Sequence, residues 1–181
     1  MPTLKASRIE EIYTNIDWER SHRMVRHSGL SSDHSSFLFL LKNDLLVTRE
    51  RLFRIRKSPN PNCVFCGCTE GHTHIVECQH NTPVTGPLLS LLHHYMPSLS
   101  LERLVCFDWE VEGTASELTL LWVTAVSLTY LWERRKATKP IINRDFISEL
   151  YAQWNIVKDT KYTNDATVMR ETLHTFIPRL G

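Results

Sequence analysis

Apolar residues recur along most of this chain at the three- and four-residue spacing of an amphipathic helix. Nowhere do they alternate over more than a few positions, as a half-buried strand requires. Ile9, Ile12, Tyr13 and Ile16 mark a short first helix, followed by Trp18. The polar run from Ser28 to Ser36 predicts a loop that supplies an N-cap. From Phe37 a stronger helix carries Phe37, Leu40, Leu41, Leu45 and Leu46 on one stripe. Thr48 stands where it caps a second helix, with Arg51 at its third position. The segment Ser58 to Asn62 ends that helix, because Pro59 and Pro61 remove donors and restrict the residues before them.

Downstream, Asn81 to Pro87 reads as a loop and Leu88 to Tyr95 as a short apolar helix stopped by Pro97. Leu118 to Trp132 is uncharged, bracketed by Glu117 and Glu133. At fifteen residues, with three threonines and a serine, it falls short of the roughly 20 apolar residues a membrane span needs. A buried core helix is the expectation, and no membrane partner. After Pro140 a last helix runs from Ile142 to Lys161, with Asn143 as its cap and Phe146, Ile147, Leu150, Trp154 and Val157 as its stripe. The class is mainly α: a helical domain with a small CCHC-type zinc-binding module. Residues 1–36 form an N-terminal helix and linker, 37–162 the helical domain with the zinc module at 58–82, and 163–181 a tail.

Composition changes this picture little. The 181 residues are 42% hydrophobic and 23% charged, which excludes collagen-like, low-complexity and wholly disordered classes. Lys plus Arg number 21 against 20 for Asp plus Glu, so global charge selects no partner. Local charge is less even. Residues 42–57 hold six bases and two acids, and residues 100–117 hold five acids and one base. The opening residues MPTLKASRIEE lack the apolar run of a signal peptide, so an intracellular setting is expected.

Candidate chemistry concentrates in one place. Four of five cysteines fall between Cys63 and Cys78, crowding that suits a metal site in a reducing compartment better than a disulfide framework. In Cys63-Val-Phe-Cys66 a tight turn aims both sulfurs at one centre, and Gly67 follows where such a turn needs positive φ. His74 and Cys78 are four apart, so a helix carries them on one face. The preferred set is Cys63, Cys66, His74 and Cys78, with structural zinc as the cofactor; Cys68 or His72 stays open as a replacement, and His80 lies just beyond. A redox Cys-x-x-Cys pair normally opens a helix after a strand, whereas prolines and asparagines precede this one. A closed four-ligand site leaves no position for water, so the metal is expected to be non-catalytic. Elsewhere, His93 and His94 point about 100° apart on a helix and make a poor pair, His22, His27 and His34 are expected as dispersed surface residues, and Cys106 has no neighbouring base.

The string SSFLFLLKNDLLVTRERLFRIRKSPNPNCVFCG followed by HIVEC resembles the C-terminal region of LINE-type non-LTR retrotransposon polyproteins, where a similar run leads into the reverse-transcriptase zinc-binding domain. Asp17-Trp18-Glu19, Glu110-Val111-Glu112, Leu131 to Arg135, and Leu150, Ala152 and Val157 to Lys161 resemble further motifs of that family in the same order, so the likeness covers roughly residues 16–162. It implies Cys63, Cys66, His74 and Cys78 as ligands. Three residues separate His74 from Cys78 where the family has four, and Val47 stands where it tends to have proline. The chain has no adjacent aspartates of a polymerase palm and no endonuclease constellation, so no enzyme activity is expected.

The resemblance implies binding of template RNA or target DNA, with a protein partner such as a polymerase supplied in trans, and residence in the nucleus. Arg49, Arg51, Arg54, Arg56 and Lys57 form one basic group, and Arg134, Arg135 and Lys136, with Lys139 and Arg144, a second. Phe53 would stack on a base if exposed, but it is expected in the core, as are Trp122, Trp132 and Trp154. The rival expectations are a zinc-stabilised protein–protein interaction module, favoured by the acidic stretch and near-zero charge, and a decayed element copy without function.

Overall fold

A single helix with an uncharged run from Leu118 to Trp132 forms the axle of the molecule. In the computed structural model, which describes residues 8–26, 30–111, 117–157 and 166–180, this is α8 (Glu117–Lys136). Its side chains from Leu118 to Leu128 are buried all round, with Leu131 and Trp132 continuing the buried face. A helix with no polar face must be covered on every side. The cover comes from α3 (Ser32–Lys42), α5 (His74–Glu77), α6 (Thr82–Tyr95), α9 (Asn143–Val157) and α10 (Ala166–Phe176), all of which pack against it. No helix among the described residues is long and apolar enough to cross a membrane. The described residues form no strand; an isolated bridge between Asn62 and Thr69 is the sole β feature among them.

The N-terminal region holds two helices rather than one. α1 (Arg8–Ile12) stops before Tyr13, and α2 (Trp18–Val25) starts afresh because the Asp17 carboxylate accepts the Arg20 N–H at 3.0 Å. From Ser32 to Ser36 the polar run expected as a loop instead forms the first turns of α3, while Ser28 and Gly29 lie outside the described residues. Ser31 accepts the His34 N–H at 3.2 Å, so helix begins at Ser32, and His34 is buried rather than on the surface. In α3 the core takes Phe37, Leu38 and Leu41, while Leu40 and Leu45 are exposed. α4 (Arg49–Arg54) follows, capped by Thr48, whose hydroxyl accepts the Arg51 N–H at 3.3 Å. Phe53 on this helix is 46% exposed, so the expectation that it lies in the core is corrected.

The expected loop from Asn81 to Pro87 is also helical, because Pro83 lies in the first turn of α6, where no intrahelical donor is needed. A short helix, α7 (Leu101–Cys106), occupies the acidic stretch. Beyond it Phe107 adopts a left-handed conformation (φ 56°) that turns Phe107, Asp108 and Trp109 into the core. Asp108 is 2% exposed there and is paired with both Arg20 and Arg103 at 3.2 Å. α9 buries Phe146 and Leu150, with Ile147 and Trp154 packed against the core, and ends at Val157; residues 158–161 of the expected helix lie outside the described residues. Leu173 and Phe176 of α10 enter the same core.

Among the described residues, one charged side chain lies wholly inside. Lys42 is 0% exposed, its Nζ 3.4 Å from the Ser21 hydroxyl and 5.3 Å from the Trp18 ring centroid. Burial holds its pKa below the usual lysine value, with the nearby Cys106 thiol acting in the opposite sense. Cys106, also 0% exposed, has its own pKa pushed up to about 12 by burial, which makes it a poor nucleophile.

Candidate metal centre and basic surface

The segment from Pro61 to Cys78 folds as two turns facing each other. In the first, the Cys63 N–H donates to the Cys68 carbonyl at 2.8 Å and the Gly67 N–H to the Cys63 carbonyl at 3.0 Å. Gly67 has φ +77°, a conformation L side chains rarely adopt, which is the role its place after Cys66 predicts. The Phe65 N–H lies 3.5 Å from the Cys63 sulfur, so backbone donors face the thiolate position. In the second, α5 carries His74 at its start, and the Cys78 N–H closes it on the His74 carbonyl at 2.9 Å.

These turns bring Cys63, Cys66, His74 and Cys78 together, with one ligand atom from each lying within 4.8 Å of all the others. The Cys63 and Cys78 sulfurs are 4.0 Å apart, and His74 Nε2 is 3.4 Å from the Cys66 sulfur. Cys63, His74 and Cys78 are buried and Cys66 is half-buried. Three thiols and an imidazole so arranged could hold a metal ion. Without one, burial pushes the Cys78 thiol up to about 12 and lowers the pKa of His74.

The alternatives left open by spacing are occupied otherwise. His72 donates from Nε2 to the Leu41 carbonyl at 2.7 Å and stacks on Tyr13 with centroids 5.7 Å apart, so it ties the metal segment to α3 and to the residue after α1. Cys68 is exposed and outside the cluster. His80 stacks face to face on Phe65 with centroids 4.1 Å apart.

A carboxylate that sequence reasoning missed lies beside the cluster. Glu70, 5% exposed, lines the same narrow cavity as Cys63, His74 and Cys78. Its Oε2 accepts the backbone N–H of Arg49 at 2.5 Å, and both its oxygens accept from the Arg135 guanidinium, the Nε bond measuring 2.6 Å. Arg135 in turn lies over the Trp132 ring at 4.9 Å. A lone glutamate between Cys68 and His72 carries no sequence signal for this role; only the fold brings Arg135 to it.

The structure sorts the expected nucleic-acid residues into paired and unpaired cations. Arg51 donates to the Asp44 carbonyl at 2.6 Å, and Arg54 pairs with the Asp44 carboxylate at 3.1 Å. Arg49 reaches the Ser58 hydroxyl at 3.3 Å. Arg134 pairs with Asp145 while lying over the Tyr130 ring, Arg135 is held by Glu70, and Lys136 pairs with Glu133 at 2.6 Å. Arg56 and Lys57 are exposed, with no ion-pair partner among the described residues, directly after the exposed Phe53 and Ile55. The second basic group is thus largely neutralised within the chain, and the first narrows to Arg56 and Lys57. No family model, curated protein or solved structure matches the chain.

Proposed function

We propose that this chain is a zinc-stabilised, non-catalytic nucleic-acid-binding domain of the kind found at the tail of retrotransposon reverse transcriptases. Zinc fits the donor set. Bonds of about 2.3 Å to sulfur and 2.0–2.1 Å to nitrogen in a tetrahedron imply edges of about 3.8 Å between sulfurs and about 3.6 Å between sulfur and nitrogen. The 4.0 Å and 3.4 Å separations lie close to both. Cys63, Cys66, His74 and Cys78 would hold the ion, which supplies cross-linking of a segment too poor in apolar residues to order itself.

The observation that carries the binding reading is the exposed Phe53 followed by the unpaired Arg56 and Lys57. An aromatic face beside unpaired cations is the arrangement that holds single-stranded nucleic acid, the bases stacking and the phosphates meeting positive charge. The test is a salt titration of binding to single-stranded RNA and DNA and to duplex DNA, by fluorescence anisotropy. Affinity should fall steeply with salt, and a double Arg56→Ala, Lys57→Ala variant should flatten the log–log slope by about 1.4–1.8, or about 0.7–0.9 per lost phosphate contact. Absent binding, or an unchanged slope in the variant, would defeat the reading.

A second reading, a protein interaction module, is favoured by one feature. Ile12, Phe39, Leu45 and Ile55 are all exposed around one groove of ≈ 400 Å³ between α1, α3 and α4. Retained partner capture by an Arg56→Ala, Lys57→Ala variant that no longer binds nucleic acid would support it.

A further inference from the structure

Glu70 belongs to the backbone of the metal segment but spends its side chain on two helices outside it. Its N–H donates to the Pro61 carbonyl at 2.9 Å, next to the Asn62–Thr69 bridge and the Cys63–Cys68 hydrogen bond, so its position follows that of the first ligand turn. Four residues later comes His74, the first ligand of the second turn. Anything that fixes both turns fixes Glu70 between them.

From there its carboxylate does two things. It accepts the Arg49 N–H, one of the N-terminal donors of α4 that have no partner within the helix, and it adds negative charge at the positive end of that helix. It also binds the guanidinium of Arg135 through both oxygens, near the C-terminus of α8. α4 has only six residues and buries none of them, so packing contributes little to holding it. A helix this short is not stable by itself, and its order depends on its caps, Thr48 and Glu70.

We propose that Glu70 is the positioning residue through which metal occupancy controls α4, and so the presentation of Phe53, Arg56 and Lys57. With the ligand turns cross-linked, Glu70 is held against the start of α4 and against Arg135. With the cross-link removed, the carboxylate is released, α4 loses its cap, and the exposed aromatic and basic residues at its end lose their fixed geometry. The metal then acts on the nucleic-acid surface at one remove, without touching it. This rests on the zinc and nucleic-acid reading above, although the coupling itself concerns metal and helix alone.

The experiment is hydrogen exchange of the full chain, followed by mass spectrometry of peptides spanning residues 49–57, for wild type and Glu70→Ala, each loaded with zinc and stripped by chelator. Metal content is measured on the same samples. Wild type should exchange at least tenfold faster in this segment when stripped. Glu70→Ala, which removes the acceptor oxygens, should keep one zinc per chain, yet exchange there as fast as stripped wild type whether or not zinc is present. An Arg135→Met variant should loosen the C-terminus of α8 without reproducing the effect at α4. Zinc-loaded Glu70→Ala that protects residues 49–57 as wild type does would overturn the proposal, as would wild type whose protection there ignores zinc. Wild type that takes up no zinc would overturn the metal reading as well. Full coupling in a chain that binds no RNA or DNA would uphold the role of Glu70 and sink only the nucleic-acid function.

Discussion

His72 Nε2 donates a 2.7 Å hydrogen bond to the carbonyl of Leu41, and this bond separates two histidines that spacing alone leaves equivalent as ligands. A ring nitrogen committed to a carbonyl on α3 is not directed at the cysteines. His74 instead brings Nε2 to 3.4 Å from the Cys66 sulfur.

His74→Ala should therefore lose the metal, and His72→Ala should keep it. Elemental analysis of the two purified variants checks this, with about one zinc expected in the second and markedly less in the first. His72→Ala should still lower stability by roughly 0.5–1.5 kcal/mol, because one hydrogen bond is lost while the Leu41 carbonyl keeps the Asp44 N–H at 3.0 Å. Equal metal content in both variants would contradict the assignment.

Phe53→Ala should cost little stability, since the side chain is 46% exposed. Nucleic-acid affinity should fall by about 1–3 kcal/mol, or roughly 5- to 150-fold, if bases stack on the ring. Thermal melting and anisotropy on the same preparation separate the two effects. Arg135→Ala should show the opposite pattern, a loss of stability first, because it leaves the buried Glu70 carboxylate unpaired.

Lys42→Met should raise stability at neutral pH by about 1–2 kcal/mol. The Ser21 hydroxyl keeps its bond to the Cys106 carbonyl, and His22 Nδ1 keeps the Trp18 carbonyl, so no partner is stranded. The folded pKa of Lys42 lies below the unfolded value of 10.5, so the fold disfavours the charged form. That cost is constant below the folded pKa and vanishes as pH climbs to 10.5. The variant's advantage should shrink over the same window. Cys106 titrates in the opposite sense there, which is why the measured quantity is the difference between variant and wild type in denaturant unfolding from pH 7 upward.

Thr124→Val should stabilise the core by about 1 kcal/mol, raising the melting temperature by roughly 2–4 °C. Thr124 is 0% exposed, and its hydroxyl has no hydrogen-bond partner among the described residues. Ser127, one turn on, shows the contrast, because its hydroxyl donates to the Val123 carbonyl at 2.7 Å. A Ser127→Ala change should accordingly fail to stabilise.

Legibility in the sequence tracks how local each determinant is. The uncharged run of α8 and the Thr48 cap are local signals, and both appear as expected; α4, by contrast, ends at Arg54, ahead of Pro59 and Pro61, where Arg56 turns left-handed (φ 58°) and the Lys57 N–H donates to the Leu52 carbonyl at 2.8 Å. The ligand turn is legible for the same reason, since Cys63, Cys66 and Gly67 act within one turn. Pro83 and Pro87 point the wrong way: Pro83 lies in the first turn, where proline costs little, and the interior Pro87 is tolerated because α6 gains Val84, Leu88, Leu91 and Leu92 in the core. Phe53 is exposed because none of the described elements buries that side of α4, a tertiary fact that periodicity within six residues cannot encode. Arg135 reads in the sequence as a cation at a helix end, because its partner Glu70 is 65 residues away and only the fold brings them together.

The covering of α8 on every side also governs how this protein comes to be folded. Its neighbours α3 and α6 precede it in the chain and α9 and α10 follow, so its burial is completed by elements drawn from both directions and, for α3, from some eighty residues away. Helical proteins ordinarily assemble fast because their contacts are near in sequence, and long-range closure slows the search. This chain should therefore fold slowly for an all-helical protein of its size, with its most deeply buried helix the last to find shelter.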